Sequence, residues 1–131
     1  MRKIQVSTSH AQEWVDVTDG IQNVLIQDDL REGAVLIYSP HTSAAVAIQE
    51  GADPAVASDL LARLAEMVPK MRPGDRHAEG NSDAHLKTLL TGQSVLVPVI
   101  RSRLALGRWQ RIFLVEFDGP RLRELWLTPL S

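Results

Sequence analysis

Cysteine is absent from the 131 residues. That absence removes disulfides, thiolate metal ligands and thiol nucleophiles together, and it fits a reducing compartment. Any metal must therefore be held by His, Asp or Glu. A basic excess is lacking as well, since 14 Lys and Arg stand against 16 Asp and Glu for a net charge of −2. Affinity for nucleic acids and anionic membrane surfaces comes from clustered Lys and Arg, so neither is an expected partner. Arginine is scattered, and Arg101, Arg103, Arg108 and Arg111 come nearest to a cluster. The opening "MRKIQVSTSH" has two basic residues with no apolar stretch behind them. It is not expected to act as a secretory signal, no run reaches membrane-spanning length, and a cytoplasmic protein is expected. Repeats, low-complexity tracts and linkers are missing too.

What remains is material for one domain over residues 1–131, with 44% hydrophobic and 23% charged residues. Ile4 to Thr8 alternates as a half-buried strand, and "WVDV" supplies a second. A core-packing helix follows, with Ile21, Val24, Leu25 and Leu30 on one face, Thr18 as N-cap and Gly33 as its stop. Ala34 to Pro40 is an apolar run, and "TSAAVAIQE" alternates as a further strand to Glu50. The strongest helix pattern has Asp53 as N-cap, Pro54 at the first position, and a stripe of Val56, Leu60, Leu64 and Met67. After it, "GNSDAHLKTLLTG" spells a short helix capped by Asn81 or Ser82 and closed by Gly92. Strands are predicted at Ser94 to Ile100, Arg111 to Asp118 and Leu122 to Thr128, the last two joined at "DGPR" as a hairpin. Val95, Val97 and Val99 share one face, as do Phe113, Val115 and Phe117. The order predicts an α+β fold with a mainly antiparallel, sandwich-like core, two main helices and one short one.

Chemistry concentrates in "RHAEGNSDAHLKTLLTG", Arg76 to Gly92. The short helix presents free N–H groups and a positive dipole end, a place where an anion can sit. Three of the four histidines, His41, His77 and His85, fall at element boundaries, where a rigid scaffold displays functional groups. His10 lies in a polar stretch and is expected to be exposed. The spacing from His77 to His85 matches no local metal signature such as HExxH, so the residues alone leave the metal question open.

"HTSAAVAIQE" followed by "DP", then "RHAEGNSDAHLKTLLTGQSVLVPV", then "LALGRWQRIFLVEFDGPR" resembles the YjbQ-like family, whose members are described as secondary thiamine-phosphate synthases. The resemblance implies a compact α+β domain that assembles as a homotrimer, with pockets near subunit boundaries. It implies catalytic roles for His41, Ser43, His77, Asn81, Asp83 and His85, and cofactor contacts for Thr42, Ser94 and Gln110. His41, His77 and His85 would hold a divalent metal ion, zinc or magnesium, and Trp109 with Gln110 would lie near a shared pocket. Asp83 would orient a histidine ring, and Ser43 and Asn81 would hydrogen-bond phosphate oxygens. The implied reaction joins a thiazole phosphate to a pyrimidine pyrophosphate, so the expected partner is a small phosphorylated metabolite. A metal- or phosphate-metabolite-binding protein without turnover, or a phosphate-ester hydrolase, would use the same groups. Arg108 and Arg111 flank Trp109–Gln110 where many relatives have a small residue, which bears on the pocket's ligand.

Overall fold

The computed structural model describes residues 1–131. Its elements run β1 (Arg2–Ser7), β2 (Glu13–Asp16), α1 (Thr18–Gln27), β3 (Glu32–Tyr38), β4 (Ala44–Glu50) and α2 (Pro54–Met67). Then come α3 (Ser82–Thr91), β5 (Ser94–Ile100), β6 (Arg103–Leu104), β7 (Gln110–Glu116) and β8 (Leu122–Leu130). All strand pairs are antiparallel, in a five-stranded sheet β1-β8-β3-β5-β6 and a three-stranded sheet β2-β7-β4. This is the mixed, antiparallel architecture predicted above.

The period of two along each strand sorts side chains between two apolar clusters. Ile112 and Leu114 of β7 join Val35, Ile37, Val97, Val99, Leu125 and Leu127 in the main core, with Ile21, Val24 and Leu25 of α1. Phe113 and Val115 point the other way and, with Phe117, pack with Ala45 and with Ala84 of α3. Both faces of β7 are thus covered, which explains why "IFLV" is apolar without interruption.

Four local expectations change. β7 and β8 are joined through Asp118–Arg121 but belong to different sheets and do not pair, so the predicted hairpin is instead a crossing from one sheet to the other. Thr18 is the first residue of α1 rather than its cap, and its buried hydroxyl accepts the Ile112 N–H at 2.8 Å. The helix ends at Gln27, well before the predicted stop at Gly33, and the chain turns at Asp29 with φ 53°. Gly33 instead lies inside β3 at φ 135°, against the Leu130 carbonyl, where a Cβ would collide. Finally, α2 starts as predicted, with Asp53 accepting the Ala55 N–H at 2.9 Å, yet none of its residues is buried. Its stripe is only partly covered, and Met67 is 71% exposed. No helix is long and apolar enough to cross a membrane.

Candidate functional site

Three chain segments converge on a polar pocket of ≈ 280 Å³ with no hydrophobic side chain in its lining. The β3–β4 connection contributes His41, Thr42 and Ser43; the approach to α3 and its first turns contribute Glu79, Asn81 and His85; the β7–β8 connection contributes Asp118 and Arg121, and β8 itself Arg123. The connection is held rigidly. Ser39 donates its hydroxyl to the Ala44 carbonyl at 2.7 Å, and the Gln93 amide reaches the carbonyls of Ser39 at 2.8 Å and His41 at 3.0 Å.

The two histidines lining the pocket are fixed in different ways. His85 Nδ1 lies 2.9 Å from the Thr42 carbonyl. A carbonyl only accepts, so in the neutral ring Nδ1 carries the proton and Nε2 keeps a free lone pair. His41 Nε2 lies 3.0 Å from both the N–H and the C=O of Glu124, which locks the ring against β8. Burial, reinforced by the positive charge of Arg123, holds the His41 pKa below the usual histidine value, so this ring is neutral at pH 7.

Asn81 stands at the N-cap of α3 but makes no side-chain cap bond. Its Nδ2 instead donates to Asp118 Oδ2 at 2.7 Å and to Glu79 Oε2 at 3.3 Å, while its buried Oδ1 has no partner. Burial alone would raise the Asp118 pKa, but Asn81 and Arg121 hold it below the usual aspartate value. Beneath the pocket lies a buried pair. Glu116 accepts Arg123 Nε at 2.9 Å, Arg123 Nη2 at 2.5 Å and the Thr8 hydroxyl at 2.7 Å, and Arg123 Nη2 also reaches Ser43 Oγ at 2.9 Å.

His41, Thr42, Ser43, Asn81 and His85 are therefore brought together. His77 stands beside this group: its ring meets that of His85 edge-on at 5.3 Å, and its Nε2 lies 3.6 Å from Glu79. Asp83 does not reach a histidine; its buried Oδ2 accepts Lys87 Nζ at 3.1 Å, one turn along α3. Ser94 is an exposed residue at the start of β5, opposite Tyr38. The Gln110 side chain accepts the Gly107 N–H at 2.8 Å and so closes its own turn. Arg111 pairs with Asp16 and Asp19 on the three-stranded sheet, and Arg108 lies over the Trp109 ring at 4.6 Å. Ser94, Arg108, Trp109, Gln110 and Arg111 all lie outside the lining of the polar pocket of one chain.

The donor set also bears on a divalent ion. His41 has its Nε2 committed to Glu124, and no group of three His, Asp or Glu side chains gathers to hold a metal within one chain. The residues of a single chain do not fit a closed three-histidine centre, and no step below passes through a metal.

Glu79, Asp118, Arg121 and Arg123 carry no site role in the sequence reading. A signal existed for Arg123 and its partner: Arg123 alternates with Leu125 and Leu127, and Glu116 with Ile112 and Leu114, placing opposite charges on the buried faces of two consecutive strands. A separate cavity of ≈ 330 Å³ lies between α2 and the three-stranded sheet, lined mainly by apolar side chains such as Trp14, Leu60 and Leu64.

Fold and pocket together define a small two-sheet α+β protein with a polar site rimmed by histidine and arginine. The chain belongs to the YjbQ family, as the model described as "UPF0047 protein YjbQ-like" matches residues 2–131. It is 42% identical over 131 residues to the UPF0047 protein YugU of Bacillus subtilis, covering 100% of this chain and 99% of that one. It is 41% identical over 125 residues to the UPF0047 protein MJ1081 of Methanocaldococcus jannaschii, covering 95% and 90%. Among solved structures, the conserved hypothetical protein TT1486 of Thermus thermophilus superposes with a TM-score of 0.93 at 48% identity, covering 99% and 100%. A YjbQ/UPF0047 family protein of Clostridium acetobutylicum superposes with 0.95 at 34% identity over the same shares.

Proposed function

We propose that the polar pocket binds a small phosphorylated metabolite, and that the chain uses it for a secondary thiamine-phosphate synthase activity. The observation that carries the binding reading is a lining that is polar except for Pro40, with hydroxyls, two arginines and two fixed histidines around one small volume. The charge balance shapes the kind of binding expected. Arg121 is matched by Asp118 and Arg123 by Glu116, so affinity for phosphate rests on directed donors rather than on net positive charge. In the proposed reaction a C–N bond forms to the thiazole nitrogen as the C–O bond to pyrophosphate breaks, and pyrophosphate leaves with the electron pair. The imidazolium form of His85, whose Nδ1–H is held by the Thr42 carbonyl, donates its Nε2–H to that departing group and is left as the neutral Nδ1–H ring, and the Thr42 and Ser43 hydroxyls hold phosphate oxygens.

The test is pyrophosphate release from thiazole phosphate and pyrimidine pyrophosphate together, alongside calorimetric binding of each. The wild type should bind both and release pyrophosphate, and His85→Ala should lower the rate at least tenfold, the low end of a positioned proton donor's contribution being about a hundredfold. Binding without release would support the non-catalytic reading. Release of inorganic phosphate from the monoester alone would support the hydrolase reading.

Two aromatic rings need an apolar surface, and the pocket of one chain offers none. We therefore place Trp109, 54% exposed, on the pocket of a neighbouring copy in a homotrimer. The outward face of the five-stranded sheet supports association, since Leu96, Ile100 and Leu130 are about half exposed on it and Tyr38 packs on Trp126. Light scattering at low micromolar concentration should return three times the 14.5 kDa chain mass. A monomer mass would overturn both the trimer and the shared pocket.

A further inference from the structure

We infer that Arg123 is the oxyanion anchor of the polar pocket and that Glu116 is its positioning residue. The inference rests on the phosphate-binding reading above and names the contact that would make it. Arg123 turns two of its three nitrogens into the protein: Nε meets Glu116, and Nη2 meets both Glu116 and Ser43. Nη1 makes no hydrogen bond and is not among the buried unpartnered atoms, although Arg123 itself lines the pocket. One donor-bearing nitrogen of a fixed guanidinium is thus left for a ligand.

The position of the pair argues for a role beyond stability. Glu116 and Arg123 continue the inward rows of Ile112–Leu114 and Leu125–Leu127, so they sit where the main core meets the pocket floor. A buried ion pair seldom outperforms apolar side chains of similar volume, because desolvation offsets the attraction. Apolar residues would close this end of the core as well. What they would not supply is a guanidinium whose rotamers are frozen before a ligand arrives, which lowers the entropic cost of binding. Arg121 differs here: it is about half exposed, and its contacts are to Asp118 of its own turn. The unpartnered donor asks for an acceptor, and the guanidinium charge selects an anionic one, the oxygen of a phosphate or phosphate ester.

The experiment titrates inorganic phosphate into the wild-type chain, Glu116→Gln, Arg123→Gln and the double variant Glu116→Leu/Arg123→Met. Binding is read by calorimetry, folding by thermal unfolding, and the Arg123 Nε–H by its nitrogen-correlated NMR resonance. Arg123→Gln leaves Glu116 buried without its partner and can fail on folding grounds. The double variant removes both charges and should unfold near the wild-type temperature while binding phosphate at least tenfold more weakly. Glu116→Gln keeps the Arg123 charge but loosens its hold, so its affinity should fall several-fold and the Nε–H resonance should shift. A folded double variant with wild-type affinity overturns the anchor and leaves the pocket reading standing. Wild-type affinity and an unmoved resonance in Glu116→Gln overturn the positioning role. Phosphate that fails to bind the wild type overturns the pocket reading and this inference with it.

Discussion

Replacing Glu116 by alanine should lower the free energy of unfolding by about 3–5 kcal/mol, the usual cost of leaving one member of a buried ion pair alone. Glu116 is fully buried, and it accepts two guanidinium donors, the Thr8 hydroxyl and the Asp118 N–H. The variant strands the Arg123 charge at the edge of the main core with only Ser43 to meet it. Urea denaturation of the two proteins measures the difference, and a loss below about 1 kcal/mol, the range of exposed pairs, would contradict the account. The wild type carries a matching pH signature. Burial alone would raise the Glu116 carboxyl, but the Arg123, Thr8 and Asp118 hydrogen bonds hold its pKa below the usual glutamate value. A folded-state pKa below the unfolded one gives stability that is complete above the unfolded value, about 4.3, and is lost as pH falls through the lower folded value. Unfolding midpoints should therefore drop below about pH 4 in the wild type, and drop less steeply in Glu116→Ala.

The second large effect is expected from Lys87→Met. Lys87 is 1% exposed and its Nζ lies 3.1 Å from Asp83 Oδ2, while Asp83 Oδ1 has no hydrogen bond and only the exposed Lys70 at 3.9 Å. Removing the lysine leaves a buried carboxylate beside α3, again at a cost of about 3–5 kcal/mol. Lys87→Met/Asp83→Leu should recover most of that loss, because neither charge then needs a partner. The same urea measurement decides: a double variant as unstable as the single one would mean that packing, not charge, holds this part of α3. Asp83 would then lose the structural role its contacts give it.

These two pairs also show where sequence was informative. The alternation of Phe113, Val115 and Phe117 and the run of Val95, Val97 and Val99 predicted faces correctly, because antiparallel strands impose a period of two on any half-buried segment. His41, Asn81 and His85 were legible as boundary residues, since loops at sheet ends carry side chains that the core does not claim. Arg123 and Glu116 lie on strands of different sheets, so recognising them as partners needed the packing of one sheet on the other, which is a tertiary property. The resemblance implies that Asp83 orients a histidine ring, whereas helical geometry aims it at Lys87 one turn on. The stripe of α2 predicted apolar contact, but depth of burial depends on what lies opposite, and sequence periodicity carries no information on that. Gln93, which clamps the His41 loop through two carbonyls, had no signal at all in its local sequence.

The central claim is that the polar pocket, and not the apolar cavity beside α2, takes the phosphorylated ligand. Amide chemical-shift mapping during a titration with phenyl phosphate tests it most directly. Saturable shifts centred on His41, Thr42, Ser43, Asn81, His85 and Arg123 are the expected result. Shifts centred on Trp14, Leu60 and Leu64, or no saturable shifts at all, would contradict it.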